Sequence, residues 1–243
     1  MAASRERARA EIEAGKVLVS GAIANKPARL VDPGEPVEVA GPPPRFVSRG
    51  GYKLDAALDR FAIATAGRTA IDAGASTGGF TDCLLQRGVA AVTAVDVGRG
   101  QLDHRLRTDP RVTVRERTDI RTANTAGRAD LVVADLSFIS LRTVAEVLAR
   151  LVHPHGDLVV LIKPQFEAGR AAASKGRGVI RDPDLWRQAI DGVKAAFAQA
   201  GAAMIGIMVS PLRGAEGNAE FLAHLRFDVD EPPPLDLDAV LPQ

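Results

Sequence analysis

One cysteine, Cys83, stands in a chain of 243 residues. Its isolation excludes an intramolecular disulfide and any zinc site built from several cysteines. At an apolar helix position it reads as a small buried residue. An excess of one charge is missing too: 31 Lys and Arg face 30 Asp and Glu, a formal net charge of +1. No global polyelectrolyte attraction follows, so a nucleic-acid surface must come from local clustering of the basic residues. Those residues are mostly arginine, which suits phosphate contacts and stacking; genome composition is the plain alternative. Long apolar runs are absent. Nothing approaches the ~20 apolar residues of a membrane span, and no charged-then-apolar leader follows Met1. A soluble cytoplasmic protein with no membrane contact is expected. With 46% hydrophobic residues the chain can bury a full core, as one large domain or a domain plus a small module.

The stretch Ile71-Asp72-Ala73-Gly74-Ala75-Ser76-Thr77-Gly78-Gly79-Phe80 organises the rest. An apolar run from Thr69 enters a glycine-rich turn, which opens into a helix with Phe80, Cys83, Leu84 and Leu85 on one side. Strand, tight turn and helix in that order form a nucleotide-type binding site. Glycines let backbone N–H groups approach a ligand, and the helix N-terminus favours negative charge. The spacing is Gly-x-Ser-x-Gly-Gly rather than Gly-x-Gly-x-x-Gly, which disfavours a nicotinamide-dependent oxidoreductase.

Residues 1–41 read differently. A short basic helix over Ser4 to Ala14, with Ser4 as N-cap, carries Arg5, Arg7 and Arg9; Gly15 ends it and Lys16 follows. Strand-like pieces come next: Val17 to Val19, a turn at Ser20-Gly21, Ala22 to Ala24, and Pro36 to Val39. A solvated extension or a small RNA-binding module fits this material. Residues 42–50 form a linker, begun by an extended proline run before Arg45. Leu54, Ala57, Leu58 and Phe61 recur at helical spacing, so 51–63 reads as a helix with Lys53 in its first turn, against the helix dipole.

From Thr69 the pattern alternates. Strands are expected at 69–73, 91–96, 112–116, 130–135, 157–162, 203–209 and 220–227, and helices at 78–87, 141–152 and 184–200. Asp182-Pro183 supplies N-cap and N1 of the last helix. Such alternation means an α/β fold, a mostly parallel sheet covered on both faces. The last two strands, joined by a Gly/Pro loop, can pair antiparallel. Residues 51–228 make the main domain, and 229–243 are expected as a loosely held tail.

Ligands of open parallel sheets lie beyond the carboxyl ends of the strands. Polar residues stand at five successive ends: Asp72 with Gly74, Asp96, Thr118-Asp119, Asp135 and Lys163. Singly, each reads as a cap, a turn former or a solvated charge. Together, on strands otherwise apolar, they read as a site. Asp96 suits a ribose diol, and Asp119 or its neighbouring backbone suits an adenine amino group. No Asn/Asp-Pro-Pro-aromatic run, usual for acceptors that are planar amines, follows the fourth strand. An acid and a lysine on adjacent strands suit an aliphatic hydroxyl, whose proton must be removed or polarised. Lysine serves as base only if burial or nearby cations, Lys53 among them, depress its pKa. Glu220, at the start of the final strand, completes a Lys53, Asp135, Lys163, Glu220 set.

Two resemblances follow from these residues. The run Ser4 to Ala8, Ile12 to Gly21, Asn25-Lys26-Pro27 and Val37 to Val39 resembles an S4-type RNA-binding domain that begins inside the module, without its first helix. The order Ser48 to Leu54, Asp72 to Thr81, Asp96 to Leu102, Ala134 to Ser140 and Lys163 to Glu167 resembles the TlyA family of FtsJ-like 2′-O-methyltransferases, some of which are called haemolysins. The resemblance implies a Rossmann-like class I methyltransferase fold, a mostly parallel seven-stranded sheet ending in an antiparallel hairpin, preceded by a small, truncated S4-like module. It implies S-adenosyl-L-methionine as cofactor and the ribose 2′-hydroxyl of cytidine in 16S and 23S ribosomal RNA as acceptor. It makes Lys53, Asp135, Lys163 and Glu220 the catalytic tetrad. The cofactor site is then Asp72, Gly74, Ala75, Ser76, Thr77, Gly78, Gly79, Phe80, Asp96, Val97, Asp119 and Asp135. Arg5, Arg7, Arg9, Lys16, Arg45 and Arg49, with the 167–178 stretch as a lid, are expected to grip RNA; no metal enters the scheme, and a monomer or weak homo-oligomer is admitted. The competing readings are a membrane-active haemolysin and a ribosome-binding factor that keeps the fold without turnover.

Overall fold

The computed structural model describes residues 5–24, 26–41, 44–122, 127–168, 178–214 and 216–242. Ser4, Asn25, the prolines 42 and 43 and most of the 167–178 stretch, each used above, lie outside those residues. The chain divides into two units, at Arg45 and Phe46.

In the first unit, α1 (Arg5–Glu13) ends because Gly15 takes φ +68°, which lets the Lys16 N–H return to the Glu11 carbonyl at 3.0 Å. Strands β1 (Val17–Val19), β2 (Ala22–Ile23) and β3 (Val37–Val39) form an antiparallel sheet in the order β2-β1-β3. Its core is small: Val17, Val19 and Ala24, with Ile12 of α1 against them.

The second unit carries a seven-stranded sheet. Its strands are β4 (Thr69–Ala73), β5 (Ala91–Val95), β6 (Val112–Arg115), β7 (Ala129–Ala134), β8 (Val152–Ile162), β9 (Ala203–Val209) and β10 (Phe221–Arg226). The order is β6-β5-β4-β7-β8-β10-β9. The first five run parallel, and β10 is antiparallel to both β8 and β9. Central strands are buried on both faces because each face has its own core. Ile71, Val132, Val160 and Phe221 point to one, Ala70, Val133, Val159 and Leu222 to the other. Helices α2 (Arg49–Arg60) and α3 (Gly79–Gln86) cover the second core, with Leu54, Leu58, Phe80 and Leu84 buried there. Helix α5 (Ala145–Arg150) and the long α7 (Pro183–Gln199) cover the first, with Leu148, Ile190 and Phe197 fully buried.

Several boundaries shift. Helix α2 begins at Arg49, so Lys53 lies in its second turn and the conflict with the helix dipole lapses. The single helix expected over 141–152 is a 3₁₀ turn (Leu141–Thr143) followed by α5, broken at Val144 with φ −118°, ψ 0°. Val152 already belongs to β8, since Pro154 disfavours helical geometry at the residue before it. Short helices α4 (His104–Arg107), α6 (Pro164–Glu167) and α8 (Leu237–Val240) were not expected. The last corrects the loose tail: Asp236 caps α8, Asp238 pairs with Arg187, and Leu241 is buried against the first core.

Candidate active site

The turn after β4 is shaped by close approach. At Gly74 (φ +86°) an added Cβ would sit 2.4 Å from the Asp135 carbonyl oxygen, so only glycine lets the ends of β4 and β7 meet. Gly79 permits a second approach: a Cβ there would lie 2.2 Å from Ser48 Oγ and 2.9 Å from the Gly51 nitrogen. That contact draws the start of α2, and with it Lys53, against the start of α3. No side chain caps α3, which follows Gly78 at φ +96°. The first N–H groups of a helix have no partner inside it.

Asp72 is fully buried. Its Oδ2 accepts a hydrogen bond from Thr81 Oγ1 at 2.7 Å, whereas its Oδ1 has no partner. Burial pushes its pKa from 3.8 to about 7, with the Thr81 bond pulling the other way and the charges of Asp135 and Asp96 adding to the rise. Asp96 closes the turn: Oδ2 accepts from the Ser76 N–H at 2.8 Å and Oδ1 from the Gly98 N–H at 2.6 Å. Each oxygen keeps acceptor capacity for a ligand. Beside it lies a small cavity lined by Ala75, Ser76, Asp96, Gln101, Leu102 and Glu116, among others.

Two lysine–acid pairs form further along the same edge. Lys53 Nζ donates to Glu220 Oε2 at 2.5 Å, and both side chains are buried. Lys163 Nζ lies 2.6 Å from Asp135 Oδ1, an ion pair short of good hydrogen-bond alignment, and donates to Ser137 Oγ at 2.8 Å. Register brings the pairs together. Phe221 of β10 faces Ile162 of β8, so Glu220 continues across from Lys163. Asp135 follows Ala134 of β7, and its N–H bonds the Ala73 carbonyl at 3.0 Å. Lys53 therefore stands not as a bare cation but with its own carboxylate, that of Glu220.

Other expected residues sit differently. Phe80 turns into the second core, Ala75 is buried, and Val97 is 70% exposed. Thr77 is exposed and its carbonyl accepts from the Asp103 N–H. Asp119 is outside the cavity lining; its carboxylate is held by Arg121 Nη2 at 2.5 Å, which drops its pKa to about 2. In the basic set Arg9 pairs with Glu13 at 2.8 Å and Lys16 with Glu11 at 3.5 Å, while Arg5, Arg45 and Arg49 are exposed. Such surface pairs are weak and can exchange for phosphate. Arg7 lies on α1, its side chain outside the described set.

Sequence reasoning missed Ser137, Gln101 and Phe138. Phe138 is 92% exposed at φ +65° and stands 5.4 Å, ring to ring, from Phe166. A bulky residue with positive φ is strained, and strain of this kind gathers at functional sites. The run Asp135-Leu136-Ser137-Phe138 held a signal only in the placement of an aromatic among polar residues at a strand end.

The FtsJ-like methyltransferase family matches residues 46–227, and the S4 domain matches residues 1–37. The 16S/23S rRNA (cytidine-2′-O)-methyltransferase TlyA of Mycobacterium tuberculosis is 47% identical over 95% of this chain and 87% of its own. Hemolysin A of Brachyspira hyodysenteriae is 38% identical over 91% of this chain and 93% of its own. The structure of a candidate haemolysin from Streptococcus thermophilus superposes with a TM-score of 0.78 at 40% identity, covering 94% of this chain and 84% of that one. Among the described residues no helix is long and apolar enough to cross a membrane.

Proposed function

The chain belongs to the TlyA group of the FtsJ-like methyltransferase family, and from that membership and its site we propose that it methylates the ribose 2′-hydroxyl of cytidine in ribosomal RNA. The observation that carries the reading is the pair of contacts that two buried lysines make with acids, Lys53 with Glu220 at 2.5 Å and Lys163 with Asp135 at 2.6 Å, beside a glycine turn entered from a buried, half-satisfied carboxylate. A lone lysine could be solvated anywhere. Two lysines desolvated at one sheet edge, each with an acid, need a purpose there.

The residues present suit S-adenosyl-L-methionine. Burial and the charges of Asp135 and Asp96 raise the cost of ionising Asp72, an environment that a cationic ligand relieves. Asp72 Oδ1 is a buried acceptor without a donor, matching an ammonium group. The uncapped start of α3 matches a carboxylate, and Asp96 matches a ribose diol. When bound, the cofactor supplies a methyl group on a sulfonium, open to in-line attack.

The remaining work falls to the chain. Lys163, gripped by Asp135 and Ser137, directs its remaining N–H or lone pair at the acceptor oxygen. The 2.6 Å contact keeps the Asp135 carboxylate against the Lys163 amine. The pair can then hold the proton that leaves the hydroxyl as the oxygen–carbon bond forms. Lys53 and Glu220 place the sugar from the other side. Much of the acceleration comes from alignment of two bound reactants. Phe138 offers an exposed ring on which an unstacked base can lie, and single-stranded RNA is commonly read in that way. Arg5, Arg9, Lys16 and Arg49 supply phosphate contacts. A ribosomal substrate implies a cytoplasmic enzyme.

The test is methyl transfer to separated ribosomal subunits with labelled cofactor, followed by mapping of the modified nucleotides. The expected product is 2′-O-methylcytidine. Label on a base, or none on either subunit, overturns the reading.

A further inference from the structure

Glu167 has no part in the scheme above, yet it is buried at 5% exposure four residues after Lys163. A carboxylate is rarely enclosed without partners, and this one has them. Oε1 accepts from the Leu141 N–H at 2.7 Å and Oε2 from the Ser140 hydroxyl at 2.5 Å. Arg142 Nε lies 3.5 Å from Oε2, and Arg142 Nη2 donates to the Glu167 carbonyl at 3.0 Å. All these donors come from the end of one segment, the run that leaves β7 at Ala134 and carries Asp135, Ser137 and Phe138. Glu167 itself sits on α6, the single turn that Lys163 starts.

The loop and the turn are thus tied at both ends. At the near end, Lys163 reaches Asp135 and Ser137. At the far end, Glu167 reaches Ser140 and Leu141. Between them the backbone passes through the positive φ of Phe138, a conformation that persists only when its surroundings hold it. Without the far tie, the near contacts would hang on an exposed loop whose residues Ser137 and Phe138 have few other constraints.

We propose that Glu167 is a positioning residue for methyl transfer: by clamping Ser140 and Leu141 it fixes the Asp135–Ser140 loop against the Lys163 turn, and so sets where the Lys163 amine points. This rests on the function proposed above, with Lys163 as the group that meets the acceptor. Burial pushes the Glu167 carboxyl above its ordinary range, against the bonds from Ser140 and Leu141. A neutral amide of the same length can still accept from the Leu141 N–H, and its NH2 can donate to the Ser140 oxygen once that hydroxyl turns, so it is the closest substitute.

The experiment compares Glu167→Ala, Glu167→Asp and Glu167→Gln with Lys163→Ala in the full chain. It reads kcat on ribosomal subunits and cofactor Kd by calorimetry. Glu167→Ala and Glu167→Asp should lower kcat about 10- to 100-fold with cofactor Kd unchanged within twofold, and Glu167→Gln should restore most of it. If Glu167→Ala does not fold, Ser140→Ala, which removes one donor and keeps the buried acid, should give the same split at about three- to tenfold. The inference fails if kcat stays within twofold in Glu167→Ala, or in Ser140→Ala where that stands in. It also fails if kcat and cofactor affinity fall together, or if Glu167→Gln is as slow as Glu167→Ala. Activity surviving in Lys163→Ala would instead overturn the functional reading beneath it.

Discussion

Two buried aspartates at opposite ends of one sheet have opposite fates. Asp157, near where the strands begin, has both oxygens engaged: His224 Nε2 lies 2.7 Å from Oδ1, and Arg68 donates to Oδ2 at 2.7 Å. Burial alone would raise its pKa, but the bonds from His224 and Arg68 bring it below the ordinary range. Asp72, where the strands end, has one oxygen bonded to Thr81 and the other bare, and its pKa climbs to about 7. One acid is satisfied by the fold. The other is left incomplete by it. A fold that leaves a carboxylate desolvated and unpaired forgoes stability, and such an arrangement persists where a ligand supplies the missing partner.

The comparison can be pressed from both ends. Lys163→Ala strikes the chemical edge hardest: methyl transfer to ribosomal RNA should fall about 10²–10⁴-fold while circular dichroism and cofactor Kd stay as they were. Retained transfer would remove Lys163 from the reaction. Asp157→Ala strikes the structural edge. It leaves His224 and Arg68 without their acid and should cost about 2–3 kcal/mol in urea unfolding, under the range for fully buried pairs because Arg68 is partly exposed. The surviving folded enzyme should keep its kcat; a large drop there would mean that the two edges are not separate.

Asp72→Asn should weaken cofactor binding about 10- to 100-fold by calorimetry, as expected for a lost charge-assisted hydrogen bond. It also carries a pH signature. The folded pKa of about 7 stands above the ordinary 3.8. Between those values the folded state holds the extra proton, so stability declines as pH rises through the window and stays lower above it. The cofactor-free Asn variant should match the parent in Tm near pH 4 and exceed it at pH 8. A lower Tm at pH 8 would show that Asp72 is already paired. The smallest effect belongs to Arg5→Glu in the first unit: RNA affinity should fall a few-fold with a shallower salt dependence, and cofactor Kd should not move.

The sheet was legible because its strands are short apolar runs separated by helical spacing, each ending in a polar residue. The glycine turn was legible because Gly74, Gly78 and Gly79 crowd six positions. The helices α4, α6 and α8 escaped notice because four residues are too few to show a period. At Asp119 the polar residue after the third strand was legible, but not that Arg121, two residues on, holds its carboxylate.

The order of apolar runs, turns and end-of-strand polar residues determined by itself that this would be a parallel α/β sheet with a ligand edge, since periodicity and glycine placement act locally. Which acid each lysine meets was decided only in three dimensions. Lys53 and Glu220 are 167 positions apart. The register of β10 on β8 and the close approach at Gly79 put them within 2.5 Å, and no local pattern encodes either contact. The bare oxygen of Asp72 and the clamp of Glu167 are likewise properties of packing, because whether a buried group is satisfied depends on atoms brought in from elsewhere in the chain.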